Sequence, residues 1–549
     1  MLLSGLLLNI SPARAESSGR LLFLGKRQPK RHMPDILLTT LNAKFIHAAF
    51  GLRYLLANLG TLKPRASLIE FDIRQRPLEI AEAILAQNPR IVGIGIYIWN
   101  LAPATELVAV LKRLRPDLRV ILGGPEVSYD SQGERIVELS DYVITGEADL
   151  LFAELCQSIL DGAPPAKKVH AAPPPEFTTL QLPYDLYSDA DIANRILYVE
   201  ASRGCPFSCE FCLSSLDIPI RQAPLDLFLN GMDELLRRGA RQLKFVDRTF
   251  NLNIQVSRTI LEFLLARYQP GHFFHFEMIP DRLPEELREI IVRFPAGALQ
   301  FEVGIQTFNP EVSDLIHRRQ NLQRLEENLR FLRTQTGVHI HADLIAGLPG
   351  ETLESFAAGF DRLVGLGPHE IQLGILKRLK GTPISRHDEE WAMVYTPHPP
   401  YEILQNRLID FPTMQRLRRF ARFWDLVANS GNFLESTPLI WASASAGLSP
   451  SPFQRFLQWS DWLYSQTGRT DSISLLRLME FLFRYLTDVQ RLSKEQVAEA
   501  IWRDYLRGGR EDKPGFLKNH LTDSTPTRKP GPGSALPKRQ ARHIQASSG

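Results

Sequence analysis

The 549-residue sequence predicts an α/β protein with three parts: a doubly wound, flavodoxin-like parallel sheet, a partial (β/α)6 barrel after it, and a helical carboxy-terminal extension. Three observations predict it. Between residues 34 and 162, and again from about 196 to 385, short β-branched and aromatic runs alternate with stretches of helical period. A proline-rich segment without periodicity separates the two alternations. Beyond residue 386 leucine and aromatic side chains recur at helical spacing alone. With 44% hydrophobic residues the chain can fill the cores of two or three domains.

The elements follow in order. Residues 1–32 open on MLLSGLLLNISPARAES, which has a short apolar stretch and an Ala-x-Ala-like site but lacks the early positive charge of a signal peptide. Met33 stands directly before the first predicted strand, so residues 1–32 are expected to be a mis-called or disordered extension and translation to start near Met33. The strands DILLTTLN, ASLIEFDI, IVGIGIYI, RVILGG and YVITGE, each followed by a helix such as TELVAVLKRLRP, define a domain over 33–162. In such a sheet the strand ends line a crevice that is the usual place for a ligand. Those ends carry Tyr97, Trp99 and Asn100, then Gly123 and Gly124, then Gly146 and Glu147; Asn42, Lys44 and His47 stand at the mouth of the same crevice. Residues 163–190, with APPAKK and AAPPPEF, read as a linker.

From 191 to 385 the strands ILYVEAS, QLKFVD, FFHFEMI, LQFEVGIQ, HIHADLIAG and EIQLGILK alternate with helices such as PLDLFLNGMDELLRRG, giving six β/α units. Active sites of parallel barrels lie at the carboxyl ends of the strands. Just after the first of these strands comes RGCPFSCEFC, with Cys205, Cys209 and Cys212. Three thiolates are one too few for a closed tetrahedral zinc site or a fully ligated cubane. A structural zinc site is the competing reading, but residues 213–242 contain no His or Cys to complete it, and four cysteines in this length make no disulfide framework. Cys156, in the helical LLFAELCQSIL, reads as a core thiol. Residues 386–521 read as a helical domain, in which WASASAG and the aromatic runs line a pocket or fill the core. Residues 522–549, rich in Pro, Ser and Gly, read as a disordered basic tail.

The C-x3-C-x2-C spacing, with Phe211 before its last cysteine, resembles the signature of the radical S-adenosylmethionine (SAM) superfamily. The resemblance implies a [4Fe-4S] cluster held by Cys205, Cys209 and Cys212, with SAM on the open iron and a 5′-deoxyadenosyl radical released on reduction. By the same resemblance Asp247 offers an acceptor to the SAM amino group, although a helix cap is an equal use for it. Glu277 and Gln306 contact ribose or substrate, and Arg318 or Arg319 meets the SAM carboxylate. Gly347, Pro349 and Gly350 resemble the fifth-strand motif that packs near adenine. The upstream sheet resembles the cobalamin-binding domain that precedes many such barrels. It departs from the Asp-x-His-x-x-Gly pattern: His47 and Gly51 are present without the Asp that would orient the His, so His47 is either a cobalt ligand without that support or a capping and packing residue beside cobalamin that has no protein lower ligand. A flavin, or no ligand, is the alternative for this sheet. TTLNAKFIHAAFGLRYLLANLG, FVDRTFN and LGILKRLKGTP resemble an uncharacterised bacterial subfamily with a carboxy-terminal domain of unknown function, and together the resemblances cover residues 33 to about 520.

These readings imply a cytoplasmic, cobalamin-dependent radical SAM enzyme that functionalises an unactivated carbon, by methyl transfer or by rearrangement. Its substrate would be a small molecule, lipid or peptide, and its electron donor a flavodoxin or ferredoxin. A non-catalytic iron–sulfur and corrinoid sensor is a second class of reading. A tRNA methylthiotransferase is a third, weakened because only Cys156 is available for the second cluster of that group. Residues 1–33 hold six Lys/Arg and one Glu, and residues 522–549 five Lys/Arg and one Asp, so of the net +3 the body between them carries −6. Net charge therefore signals no nucleic acid, and no apolar run reaches the roughly 20 residues that span a bilayer.

Overall fold

The computed structural model describes residues 33–216, 219–442, 451–521 and 536–547. The expectation for residues 1–32 lies outside them, as does most of WASASAG. The first sheet comprises β1 (Ile36–Asn42), β2 (Ala66–Asp72), β3 (Ile91–Gly95), β4 (Arg119–Gly123), β5 (Tyr142–Gly146) and β6 (Val169–Ala172), all parallel, in the order β2-β1-β3-β4-β5-β6. Every residue of β1 is buried, as a strand covered by helices on both faces requires. Two apolar cores, around Val92 and Leu107 on one side and Ile121 and Phe152 on the other, sandwich it. Because β1 pairs with both β2 and β3, the winding reverses there and leaves a crevice at the carboxyl ends of β1 and β3.

The segment expected to be a linker is largely packed. Val169–Ala172 pairs with β5 as the sixth strand, and Phe177, Leu180, Tyr184 and Tyr187 are buried against the second domain. Prolines interrupt the periodicity of this stretch, so its aromatic anchors form no pattern that reads as an element.

The second sheet begins with β7 (Leu197–Val199). A two-residue antiparallel pair, β8 (Ser202–Arg203) and β9 (Arg221–Gln222), brackets the cysteine loop. The sheet continues with β10 (Gln242–Phe245), β11 (Phe273–Met278), β12 (Leu299–Gln306), β13 (His339–Ala346) and β14 (Glu370–Ile375). All six are parallel and each lies beside its successor in the chain, an open barrel in which β7 and β14 are the edges. A hairpin of β15 (Val394–Tyr395) and β16 (Ile403–Gln405) then leads to the helices Phe411–Leu426, Pro452–Thr467, Leu475–Arg484 and Lys494–Arg507. Phe360 of the barrel meets Phe420 and Trp424 edge-on at 5.1 and 4.8 Å, so one apolar core runs from barrel into extension.

The tail expected to be disordered needs correction over its last part. Lys538–Ser547 is a helix lying on the strand starts of the barrel: Arg539 pairs with Glu370 at 3.0 Å and Asp425 at 2.6 Å, Gln540 donates to Gln300 at 2.8 Å, and His543 packs on His339 at 5.2 Å. Composition alone misses it because its partners are polar groups at the far end of another domain. Residues 522–535 lie outside the described residues. Among the described residues no helix is long and apolar enough to cross a membrane.

Candidate functional site

The carboxyl edges of the two sheets face one another across a single cavity of about 610 Å³. One wall comes from the first sheet: Gly93 and Gly95 of β3, Gly123 at the end of β4 with Gly124 after it, Gly146 at the end of β5, and Tyr97. Glycine at these ends opens the wall at backbone level. Gly124, at φ +106, is obligatory, since a Cβ there would lie 2.4 Å from the Ile96 carbonyl oxygen. The other wall comes from the barrel: Cys205, Cys209, Phe211, Cys212, Glu277, Gln306 and Arg318.

The cysteine loop leaves β8 through Gly204 at φ +91. Cys205 and Cys209 are buried and Cys212 half-buried. Burial, with the neighbouring thiols, pushes Cys205 up to about 11, so it stays protonated until something positively charged takes the proton's place. Among the described residues no three His, Cys, Asp or Glu side chains converge as a single metal ion would need. A cubane presents a separate iron to each thiolate, so three thiols lining one opening suit that group. Arg318 donates to Cys209 Sγ at 3.4 Å and to the Gly304 carbonyl at 2.5 Å.

Several candidates sit elsewhere. Asp247 does not reach the cavity. It is buried behind the loop, accepts from the Ala201 amide at 3.0 Å and Ser202 Oγ at 2.6 Å, and is pushed up to about 7 by burial. His47 turns away from the crevice, with Nδ1 2.6 Å from the Tyr198 hydroxyl, and is depressed to about 4 by burial. Among the described residues lining the cavity there is no histidine, so His47 is not placed to serve as a cobalt ligand. Asn42 donates to Glu70 at 2.7 Å. Asn100 lies beneath the wall, where its amide donates to the Gly95, Leu41 and Thr40 oxygens at 3.0–3.2 Å and ties β1 to β3. Trp99 stacks on Tyr97 at 4.5 Å and donates to the Leu41 carbonyl, supporting the wall from behind. Gly347, at φ +90, faces Ile403 and Met414 of the extension.

Glu147 lines the cavity but joins the domains: it pairs with Arg203 at 2.8 Å and with Arg221. Arg203, buried, also pairs with Asp149 at 2.9 Å and Glu200 at 2.8 Å, and lies 4.4 Å over the Tyr54 ring. Three acids and two arginines thus hold the first sheet against the cysteine loop. Apart from Arg203–Glu200, three residues apart, this clamp pairs residues 54 to 74 positions apart and leaves no local spacing to detect.

A set of charged residues inside the barrel also escaped sequence reasoning, although the alternation of polar and apolar residues in FHFEM, FEVGIQ and HADLIA could have found it. Glu302 accepts from His275 at 2.9 Å and pairs with Lys244 at 3.4 Å; against the cost of burial these two hold its carboxyl well below the usual range. Asp343 is pushed well above it, by burial first and then by Glu302 and Glu277. Arg248 pairs with Glu277 at 3.2 Å. Glu302, Asp343, Arg248 and Glu277 all face the cavity.

Comparison with known proteins identifies three regions. Residues 199–363 match the radical SAM superfamily, residues 36–156 the B12 binding domain, and residues 389–529 a family described as a protein of unknown function, DUF4080. Among curated proteins the chain is 24% identical over 316 residues to the uncharacterized methyltransferase PH0819 of Pyrococcus horikoshii, covering 51% of this chain and 65% of that one. It is 24% identical over 339 residues to the cobalamin-dependent radical SAM methyltransferase TokK of Streptomyces tokunonensis, covering 54% and 48%. The chain thus spans less than two thirds of the length of these relatives. Among solved structures, the radical SAM methyltransferase TsrM of Kitasatospora setae with cobalamin and a [4Fe-4S] cluster bound superposes with a TM-score of 0.53 at 18% identity, over 66% of this chain and 76% of that one, and shares the fold.

Proposed function

We propose that this chain, which carries a B12 binding domain, a radical SAM domain and a DUF4080 domain and is homologous to cobalamin-dependent radical SAM methyltransferases, transfers a methyl group to an unactivated carbon of its substrate. The observation that carries the reading is the shared cavity, with cysteines on one wall and the bare strand ends of the B12 binding domain on the other. When bound, the cluster, SAM and cobalamin supply reductive sulfonium cleavage, hydrogen abstraction and a transferable methyl group.

In this reading Cys205, Cys209 and Cys212 hold the cluster, and Phe211 shields it. Arg318, beside Cys209 and in the cavity, meets the SAM carboxylate by forked hydrogen bonds, with Gln306 and Glu277 reaching ribose or substrate. Gly123, Gly124, Gly146 and Tyr97 give cobalamin a flat face to rest on. The Arg203 clamp keeps the two walls together and water out. The four free cysteines suit the reducing cytoplasm, and a flavodoxin- or ferredoxin-like donor would supply electrons.

The test is anaerobic incubation of reconstituted protein with dithionite, SAM and candidate small-molecule, lipid or peptide substrates. 5′-Deoxyadenosine together with S-adenosylhomocysteine is the expected result. Deoxyadenosine with altered, unmethylated substrate would replace methyl transfer by rearrangement, and absence of SAM cleavage would overturn the enzyme assignment in favour of a sensor.

A further inference from the structure

Glu210 lies between the second and third cysteines, and every polar group it has is engaged by residues more than a hundred positions away. Its amide donates to the Ile316 carbonyl at 3.1 Å, and its carbonyl accepts from the Ile384 amide at 3.0 Å. One carboxylate oxygen takes His317 Nδ1 at 3.1 Å and the Arg386 guanidinium at 2.5 Å, and the other takes His387 Nε2 at 2.7 Å. The side chain is 1% exposed. A carboxylate so buried is destabilising unless its charge is fully compensated, so these partners are a condition for the loop's conformation.

The partners come from two places that matter to the site. His317, at φ +53, is a non-glycine residue in the left-handed region, and that turn sends His317 to Glu210 while the next residue, Arg318, reaches Cys209. Two consecutive residues of one loop thus grip two consecutive residues of the other. Arg386 and His387 end the segment Pro383–His387, directly ahead of the region that matches the family of unknown function.

We infer that Glu210 is a positioning residue that clamps the cysteine loop to the Arg318 turn and to the entrance of the carboxy-terminal region, so that this entrance, though remote in sequence, holds the cluster ligands in place. The inference rests on the reading of the three cysteines as cluster ligands. It predicts that the clamp is built in the apoprotein and slows cluster loss in the loaded one.

The experiment compares the full wild-type chain, Glu210→Ala, Glu210→Gln and the double variant R386A/H387A, with Cys205→Ala as control, purified anaerobically and reconstituted with iron and sulfide. Hydrogen exchange of residues 205–216 is measured in the apoproteins, and in the loaded proteins iron content and the rate at which a chelator bleaches the cluster absorbance. Glu210→Ala and R386A/H387A are expected to raise both rates about tenfold, as loss of hydrogen bonds to a buried charge predicts, with Glu210→Gln between them and the wild type. Wild-type rates in the double variant, with an unchanged far-UV circular dichroism spectrum, would overturn the inference. If Glu210→Ala fails to fold, the double variant still decides, because it leaves the loop sequence intact. A wild type that takes up no iron would remove the functional reading instead, and the exchange rates of the apoproteins would still judge the clamp.

Discussion

The two six-stranded parallel sheets of this protein meet one cavity in opposite ways. The first sheet offers backbone: Gly93, Gly95, Gly123, Gly124 and Gly146 face the opening, and its polar side chains, such as Asn100, are spent on holding strands together. The second offers side chains: thiols, Arg318, Glu277, Glu302 and Asp343 project into the same space. The winding explains the division. A doubly wound sheet buries both faces of its strands under helices and leaves only the strand ends for a ligand. A barrel encloses one face of every strand, so alternate residues along β11, β12 and β13 can carry charge into the interior. A broad, flat cofactor suits the first arrangement, and chemistry at a defined atom suits the second.

The largest test of this contrast is acid. His275 within the barrel and His543 beneath it are each depressed to about 4, in both cases by burial first. Their native values lie below the unfolded value, so the unfolded chain binds more protons between about pH 4 and 6.5, and stability present above that window is lost as pH falls through it, by about 3 kcal/mol for each group. These two histidines lie in or against the barrel, whereas His47, depressed to about the same value, bonds Tyr198 where the domains meet, so β10–β14 and that junction are expected to lose hydrogen-exchange protection at pH 5 while β3–β5 keep theirs. Equal loss in both sheets would remove the energetic side of the contrast. A smaller effect comes from the glycine wall. Gly124→Ala places a Cβ against the Ile96 carbonyl at a left-handed position, a cost of about 3 kcal/mol, and should lower the first transition in a thermal melt and abolish corrinoid absorbance while iron content stays at the wild-type value. The smallest is Arg318→Lys, which keeps the charge but not the fork: SAM affinity, read by isothermal titration, should weaken about tenfold with the corrinoid spectrum unchanged.

What was legible in the sequence divides along the range of the interaction involved. The cysteine trio, the two β/α alternations and the strand-end glycines are local patterns, and each stands where its spacing placed it. The resemblance puts Asp247 beside SAM, and position after strands puts His47, Asn42 and Trp99 in the crevice. The structure turns them behind it, toward Ser202, Tyr198, Glu70 and Leu41, and no spacing shows which way a residue at a strand end will point. The Arg203 clamp and the Glu210 network were illegible for a stronger reason. Each joins segments brought together only when both domains have folded, so the pairing exists nowhere along the chain.

The helix Lys538–Ser547 has a consequence for how the protein is made. Ribosomes deliver the B12 binding domain first, the six barrel strands next and this helix near the end, so the nascent barrel waits with Glu370 and His339 lacking Arg539 and His543. A chain lacking Lys538–Ser547 would keep the cysteines and glycines that line the cavity, with Glu370 and His339 still bonded to each other at 2.9 Å, yet would lose the cover that Arg539 and His543 give the end of the barrel remote from the cavity.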